Sequence, residues 1–395
     1  MAEPDVQSVR GSVGPPEAPG GLRRPHLLHV FSNFVPTGPE LRTVALIGAF
    51  GDEFRHSIVS MDGRTGAAER LPPGAPVRLL QNPPRAGSLQ TARRLRRLLA
   101  DVGPDLVLTY NWGAFDMLLA ARSRGFRRVI HHEEGFNDDE TESYKLRRVL
   151  ARRLVLPAAF QVVVPSQRLQ RVAVDLWRLP GRRVRLIPNG IRPDSFGPAD
   201  GHPELRRAHG IPDGALVVGA VGSLRPVKNF MRLLEAAAVA SDSAPEAHVL
   251  LVGDGEERPA LEARAAAPDL AGRIHFAGYQ ADPRPFYRAM DLFAVTSDSE
   301  QMPVSLLEAM ASSLPVIATD VGDVRAMLPV GQEHYVVPPG PEAAAALGEG
   351  IRKLAADPAI RRRIGSANRR RVETRYSFDS MCAAYREVYH AALCS

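Results

Sequence analysis

The sequence predicts an α/β molecule of two doubly wound parallel sheets in tandem, with a ligand cleft between them. Three observations point there. Short β-rich apolar runs alternate with helix-like segments along most of the chain, the pattern of parallel strands covered by helices. The chain has 395 residues, more than one core usually holds, so two domains are expected. The rhythm breaks at 189–214, where Asn189-Gly190, Pro193, Gly197-Pro198, Gly210 and Gly214 gather, and such breakers mark a domain border.

Each element follows in order. Residues 1–24 are rich in Pro and Gly and poor in apolar side chains, a composition that predicts a disordered tail; they lack the apolar core of a signal peptide. Strands are expected at 26–32, 56–60, 77–80, 105–110, 128–133, 160–166 and 184–188, then at 215–223, 248–253, 273–278, 292–297, 315–320 and 335–338. Helices are expected at 88–101, 113–123, 141–156, 228–240, 304–312 and 342–355, with Ser88 and Asn229 as N-caps. After Pro358 the strands stop and the remainder reads as helix. The expected units are residues 25–190 and 191–378, followed by a last helix at 379–395.

Composition narrows the function. With 45% hydrophobic and 24% charged residues the chain suits a soluble globular protein, and no run approaches the ~18–20 apolar residues of a membrane span. Two cysteines, Cys382 and Cys394, exclude a disulfide scaffold and a four-cysteine zinc site and fit a reducing, cytoplasmic compartment. The net charge of +6 is uneven: residues 1–190 hold 28 Lys and Arg against 18 Asp and Glu, whereas 191–395 hold 22 against 26. A basic first half suggests an anionic partner. Nucleic acid is disfavoured because basic runs with interleaved aromatics are absent. The clusters Arg93, Arg94, Arg96, Arg97 and Arg147, Arg148, Arg152, Arg153 lie in helix-like segments. They read either as solvated faces or as a peripheral contact with an anionic membrane.

Ligands of open parallel sheets bind beyond the carboxyl ends of the strands, so those ends are the candidate site. After the first strand, Gly38 opens a helix near Pro39-Glu40; it allows close backbone approach, and free helical amides favour an anion. VGDGEER at 252–258 lacks the third glycine of a dinucleotide motif and carries no nucleotide site alone. After the strand at 215–223, Arg225 and Lys228 stand three residues apart at a helix entrance. That spacing predicts a shared helical face, and two cations beside free amides suit a diphosphate.

The most informative segment is TSDSEQMPVSLLEAMASSLPVIATDVGD, 296–323. Pro303 at the helix start places Glu300 in the preceding loop and Glu308 inside the helix. Glu308 falls on an apolar face of a helix that is apolar all round, so it is expected to be buried. A buried carboxylate needs hydrogen bonds or a cation. Ligand hydroxyls and a protein cation both remain open as partners. The amides of Val304, Ser305 and Leu306 add an anion- or hydroxyl-binding surface. In the first half, His131 and His132 end a strand and alternate in facing, so one of the two is expected at a ligand. A metal on His131, His132, Glu133 and Glu134 is disfavoured, because the four are consecutive and no second ligand cluster accompanies them.

At these residues the chain resembles the retaining, nucleotide-sugar-dependent glycosyltransferases of the GT-B fold, family 4, of the bacterial exopolysaccharide and surface-glycan type. Glu300-x7-Glu308 within EQMPVSLLEAMA carries the resemblance, with LPVIATDVGD after it, GSLRPVKN upstream and IPNG at 187–190. HVFSNFVPTGPELR, YNWG and HHEEGF add to it. The resemblance implies a GT-B fold of two Rossmann-like domains whose terminal helix crosses back onto the first. It implies that Arg225 and Lys228, with Ser223, hold the donor diphosphate, and that Gly38 lies against its phosphates. Glu308 would bind the ribose, Glu300 the donor sugar, His131 (His132 as the alternative) the sugar near the bond being broken, and residues from Phe276 to Tyr279 the base. Two positions depart from the family pattern: Gln301 and Ser313 stand where glycine is frequent. Gln301 is expected to bear on donor-sugar choice and Ser313 on packing alone.

The chemistry implied is transfer of a sugar from a nucleoside diphosphate to a glycan or polyprenyl-diphosphate-linked acceptor. No cofactor or metal is expected: no Asp-x-Asp occurs in the chain, and cations with helix amides stabilise the leaving group instead. A GT-B nucleotide-sugar epimerase and a non-catalytic nucleotide-sugar-binding subunit are the competing classes.

Overall fold

The computed structural model describes residues 23–81, 87–135, 145–241, 244 and 246–395. The expected tail lies almost wholly outside the described residues. Among the described residues, thirteen strands build two all-parallel sheets. In the first lobe β1 (His26–Phe31), β2 (Arg55–Ser60), β3 (Val77–Leu80), β4 (Leu106–Tyr110), β5 (Val129–His132), β6 (Gln161–Val164) and β7 (Val184–Leu186) run in the order β3-β2-β1-β4-β5-β6-β7. In the second lobe β8 (Leu216–Val221), β9 (Ala247–Val252), β10 (Ile274–Gly278), β11 (Leu292–Val295), β12 (Val316–Thr319) and β13 (Val336–Val337) run β10-β9-β8-β11-β12-β13. Every expected strand is present. Both orders reverse at the first strand of the lobe, the switch point of doubly wound sheets where ligands bind.

Both faces of each sheet are covered. All five residues of β4 and all six of β9 are buried, as parallel strands between helical layers must be. In the first lobe α2 (Ser88–Val102), α3 (Phe115–Ser123) and α4 (Leu146–Val155) cover one face, and α1 (Gly38–Phe50) helps to cover the other. The short α5 (Gln167–Arg171) joins the first-lobe layer of α2, α3 and α4; the second lobe is covered by α7 (Phe230–Ala240), α8 (Arg258–Ala265) and α12 (Ala343–Ala356) on one face, and by α6 (Pro203–Ala208), α9 (Arg284–Arg288), α10 (Val304–Ala311) and α11 (Val324–Met327) on the other. Asn229 caps α7 as expected, its side chain accepting from the Arg232 amide. Ser88 does not cap: Gly87 holds the cap position, with no side-chain hydrogen bond closing the helix start.

The chain crosses between the lobes twice. α13 (Pro358–Arg375) closes the second lobe, and α14 (Phe378–Leu393) packs Phe378, Met381, Tyr385 and Tyr389 into the first-lobe core with Leu27, Phe31 and Phe54. The two crossings touch through a parallel bridge between Ile191 and Ser377. This contact explains Gly190: a Cβ there would lie 2.4 Å from the Ser377 carbonyl oxygen.

One basic cluster reverses expectation. On α4, Arg148 and Arg152 are 8% and 1% exposed, whereas Leu146, Leu150 and Leu154 are 72%, 45% and 70% exposed. Arg152 pairs with Glu133 and lies over the Trp177 ring at 4.9 Å. These arginines are structural, not a solvated face. Buried anion and indole partners decide the facing of the helix, and no periodicity reveals them. Arg93, Arg96 and Arg97 on α2 do face solvent.

Candidate active site

The carboxyl edges of the two sheets meet. Ser166, after β6, donates its hydroxyl to Gln301 Oε1 at 2.9 Å. Asp323, after β12, accepts the amides of Gln167 and Arg168 at 2.6 and 3.0 Å. Asn189, in the first crossing, donates Nδ2 to the Met302 carbonyl at 2.9 Å.

In the second lobe, two predicted residues converge. Lys228 sits in the single turn Pro226–Lys228 after β8, and Glu300 in the loop after β11. Lys228 Nζ donates to Glu300 Oε1 at 2.5 Å, and Ser297 Oγ donates to the same oxygen at 2.8 Å. The lysine and glutamate side chains remain 20% and 12% exposed, so the pair is accessible. The shared helical face predicted for Arg225 and Lys228 does not form. Arg225 is extended (φ −115°, ψ 154°), and Asn229 turns left-handed (φ 45°) before α7 begins. Proline at 226 confines the turn, and Arg225 stands exposed with its Nε on the Ser223 hydroxyl at 3.1 Å.

Glu308 lies on α10 as expected, but it is half-buried where full burial was expected, because the helix turns it toward the edge of the core, and its partner is not a cation. Tyr287 donates its hydroxyl to Glu308 Oε2 at 2.7 Å. Burial pushes the Glu308 carboxyl up to about 7, because the charged form loses hydration that one hydroxyl does not replace. Val304 and Ser305 are half-buried at the start of α10, and Leu306 is fully buried.

The Glu300 loop is braced from β12. Gly322 adopts φ +57°, and a Cβ there would sit 2.4 Å from the Glu300 carbonyl oxygen. Asp323 donates its amide to the Gln301 carbonyl at 2.9 Å. This contact gives VGD a physical role that its sequence did not disclose. Gln301 itself faces the first lobe: besides Ser166, it lies within 3.0 Å of where a Gly135 Cβ would stand. Its structural consequence is an interlobe hydrogen bond. Ser313 adopts φ +61°, a conformation that suits glycine, so more than packing distinguishes it.

The first-lobe predictions fare differently. His131 has no exposed surface; Nδ1 is hydrogen-bonded to the Thr109 hydroxyl at 2.9 Å, and Nε2 lies 3.4 Å from Glu133. Glu133 is buried against Arg152 and held below the usual carboxylate range by that guanidinium against the cost of burial. His132 is also fully buried, its ring stacked between Tyr110 and Tyr385. The alternation of facing is real, but both histidines turn into the lobe, because each face offers an aromatic or ionic partner. Gly38 is exposed at the start of α1, and a Cβ there would meet nothing within 4 Å. In the same turn Glu40 is buried, bonded by the Thr37 hydroxyl, and raised above its ordinary pKa by desolvation. Phe276 is half-buried beneath Arg258, and Tyr279 is 64% exposed.

Sequence reading missed the polar knot at the crossing. Arg42 on α1 forms a two-pronged pair with Glu134 and donates to Asn189 Oδ1 at 2.9 Å. Asn189 reaches on to Met302, two residues past Glu300. The signal available was the Asn-Gly pair at the border; its partners lie 147 and 113 residues away. Among the described residues, no group of three or more His, Cys, Asp or Glu is placed to hold a metal.

Comparison with known proteins decides the family. Residues 36–195 match the family described as Glycosyltransferase Family 4, and residues 202–371 match Glycosyl transferases group 1. This chain carries a family 4 glycosyltransferase domain followed by a group 1 glycosyl transferase domain. A D-inositol 3-phosphate glycosyltransferase of Streptomyces avermitilis is 28% identical over 257 residues, 62% of this chain and 55% of that one. The lipopolysaccharide core biosynthesis glycosyltransferase LpsE of Rhizobium meliloti is 31% identical over 174 residues, 44% of this chain and 49% of that one. The chain thus spans about half the length of the curated relatives it matches. Among solved structures, Anabaena HepE in complex with UDP superposes with a TM-score of 0.77 at 20% identity, covering 93% of this chain and all of that one. The fold is that of the GT-B glycosyltransferases, two Rossmann-like lobes with a terminal helix crossing back.

Proposed function

We propose that the chain transfers a sugar from a nucleoside-diphosphate sugar to a glycan or polyprenyl-diphosphate-linked acceptor in polysaccharide biosynthesis, with retention and without a metal or further cofactor. The observation that carries this reading is the accessible Lys228–Glu300 pair at the edge where the lobes meet. Breaking the glycosyl–phosphate bond places negative charge on the diphosphate. An ammonium already fixed by a carboxylate and a loop is a preorganised partner for that charge. The donor phosphates take Lys228 Nζ, with Arg225 and Ser223 beside them and Gly38 approaching from the first lobe. Glu300 is then released to the sugar hydroxyls. The amides of Val304 and Ser305 and the carboxyl of Glu308 serve the phosphate and the ribose, with Tyr287 holding Glu308 in place.

His131 acts in this reading as a positioning residue, since Thr109 and Glu133 occupy its ring nitrogens. The protein works in the cytoplasm; the exposed arginines of α2 favour a peripheral contact with anionic lipid. No helix among the described residues is long and apolar enough to cross a membrane. A neighbour in fold, HepE, has been solved with UDP and with UDP-glucose, which supports a nucleotide-sugar donor.

The test is release of nucleoside diphosphate from UDP-, GDP- and ADP-sugars, chosen by thermal shift. Release that rises with acceptor and is unchanged by EDTA supports the reading. Binding without release points to an epimerase or a non-catalytic subunit, and strong inhibition by EDTA overturns the metal-free mechanism.

A further inference from the structure

Glu300 sits in an irregular loop between the end of β11 at Val295 and the start of α10 at Val304. A side chain on such a loop is placed only as well as the contacts that hold the loop. Two successive carbonyls after Glu300 are held from outside it. The Gln301 carbonyl accepts the Asp323 amide at 2.9 Å, from the same lobe. The Met302 carbonyl accepts Asn189 Nδ2 at 2.9 Å, from the first crossing between the lobes. The Asn189 backbone amide also donates to Met302 Sδ at 3.2 Å, and Met302 is buried in the second-lobe core. Asn189 thus grips one residue by backbone and side chain together.

The far side of the Asn189 amide is held as well. Its Oδ1 accepts Arg42 Nη1 at 2.9 Å. The same guanidinium pairs with Glu134 and lies 5.6 Å from the centre of the Tyr385 ring, so α1, the segment after β5 and α14 all anchor it. The two partners fix which way the amide points, since the reverse would set NH2 against a guanidinium and oxygen against a carbonyl. An ionised aspartate of the same shape could serve Arg42, but it would have no proton for Met302.

The contacts therefore run from α1, through Arg42 and Asn189, to Met302 and the loop of Glu300. Arg42 stands about one turn beyond Gly38, where the transferase reading brings the donor phosphates, and Glu300 is where that reading brings the sugar.

We infer that Asn189 is a positioning residue for the transfer: anchored by Arg42, it sets Met302 and with it the loop that carries Glu300. The inference rests on the transferase reading above.

The test uses the full-length protein, the donor chosen by thermal shift, and the variants N189D and N189A. N189D keeps a partner for Arg42 and loses the donor to Met302; N189A loses both without adding charge. Circular dichroism and thermal melts establish which variants fold. In a folded variant, kcat for release of nucleoside diphosphate is expected to fall ~10–100-fold, the effect of a displacement of about 1 Å. The Kd of the nucleoside diphosphate alone should change by less than about twofold. In an E300Q background the same substitution should cost less than about twofold, because Asn189 acts through Glu300; a role in stability alone would multiply the two losses. Hydrogen exchange read by mass spectrometry should rise ~10-fold or more in peptides spanning 298–306 and stay unchanged in peptides of β1 and β8. Wild-type kcat in the folded variants, multiplied losses with E300Q, or unchanged exchange at 298–306 overturns the proposal, as does failure of both variants to fold. If the wild-type protein releases no nucleoside diphosphate from any donor, the transferase reading fails, and the exchange measurement still decides whether Asn189 sets the loop.

Discussion

Lys228 and Glu300 hold each other at 2.5 Å in the loop pair after β8 and β11. Replacing Lys228 by alanine should lower turnover by ~10²-fold or more, the usual loss of one transition-state donor; full activity in steady-state kinetics would remove Lys228 from the chemistry. Glu308 makes a prediction about pH. Its carboxyl titrates at about 7, above the range of an unfolded glutamate, so the folded state binds the extra proton between those values. Its stabilising contribution is complete at low pH and declines as pH rises toward 7. E308Q should flatten that decline in thermal melts between pH 5 and 8, with Tyr287 still donating to the amide oxygen. A melt that keeps its slope would show that another group sets it. Ser313 carries a left-handed φ of +61°, which costs a non-glycine residue ~1–2 kcal/mol, partly offset by glycine's extra chain entropy. S313G should raise the melting temperature by ~1–3 °C.

The elements show which features a sequence discloses. Every strand was legible, because parallel strands buried on both faces are short continuous apolar runs between turn residues. The Asn229 cap, the loop position of Glu300 and the buried helix of Glu308 follow from spacing and from Pro303. The facing of α4 was not legible: inward Arg148 and Arg152 need Trp112, Trp177 and Glu133, which come from other elements. The same holds for His131, whose partners Thr109 and Glu133 are set by the register of β4 against β5. The shared face of Arg225 and Lys228 failed for a local reason, the extended cap that Pro226 imposes. α1 carries a further prediction. Arg42 and Glu134 are 8% and 9% exposed, and removing one partner of such a pair leaves an uncompensated charge. R42M should destabilise by ~3–5 kcal/mol in denaturant unfolding; a loss below ~1 kcal/mol would show that water already solvates Glu134.

Across the whole molecule, acid should weigh more heavily on the first lobe than on the second. His29, His56 and His132 are buried in the first lobe, and burial lowers the pKa of each, His56 to about 4. The unfolded chain binds their protons first, so their contribution is complete above the ordinary histidine range and is lost as pH falls from there toward about 4. In the second lobe His248 and His275 are lowered by burial too, but there Glu308 gains over much of the same interval, as Glu40 does in the first lobe. Acidification should therefore loosen the first lobe before the second. Both tryptophans belong to the first lobe, so a fluorescence transition ahead of the far-UV circular dichroism transition is expected, and coincident transitions would argue against it.

The contact between Ile191 and Ser377 sets the mechanics of the pair of lobes. Two bodies joined at one small patch can rotate about it, but sliding past one another is opposed by both covalent links at once. The Gln301–Ser166 and Asp323–Gln167 contacts then act as latches away from the pivot, and a donor of the proposed class would enter where those latches part.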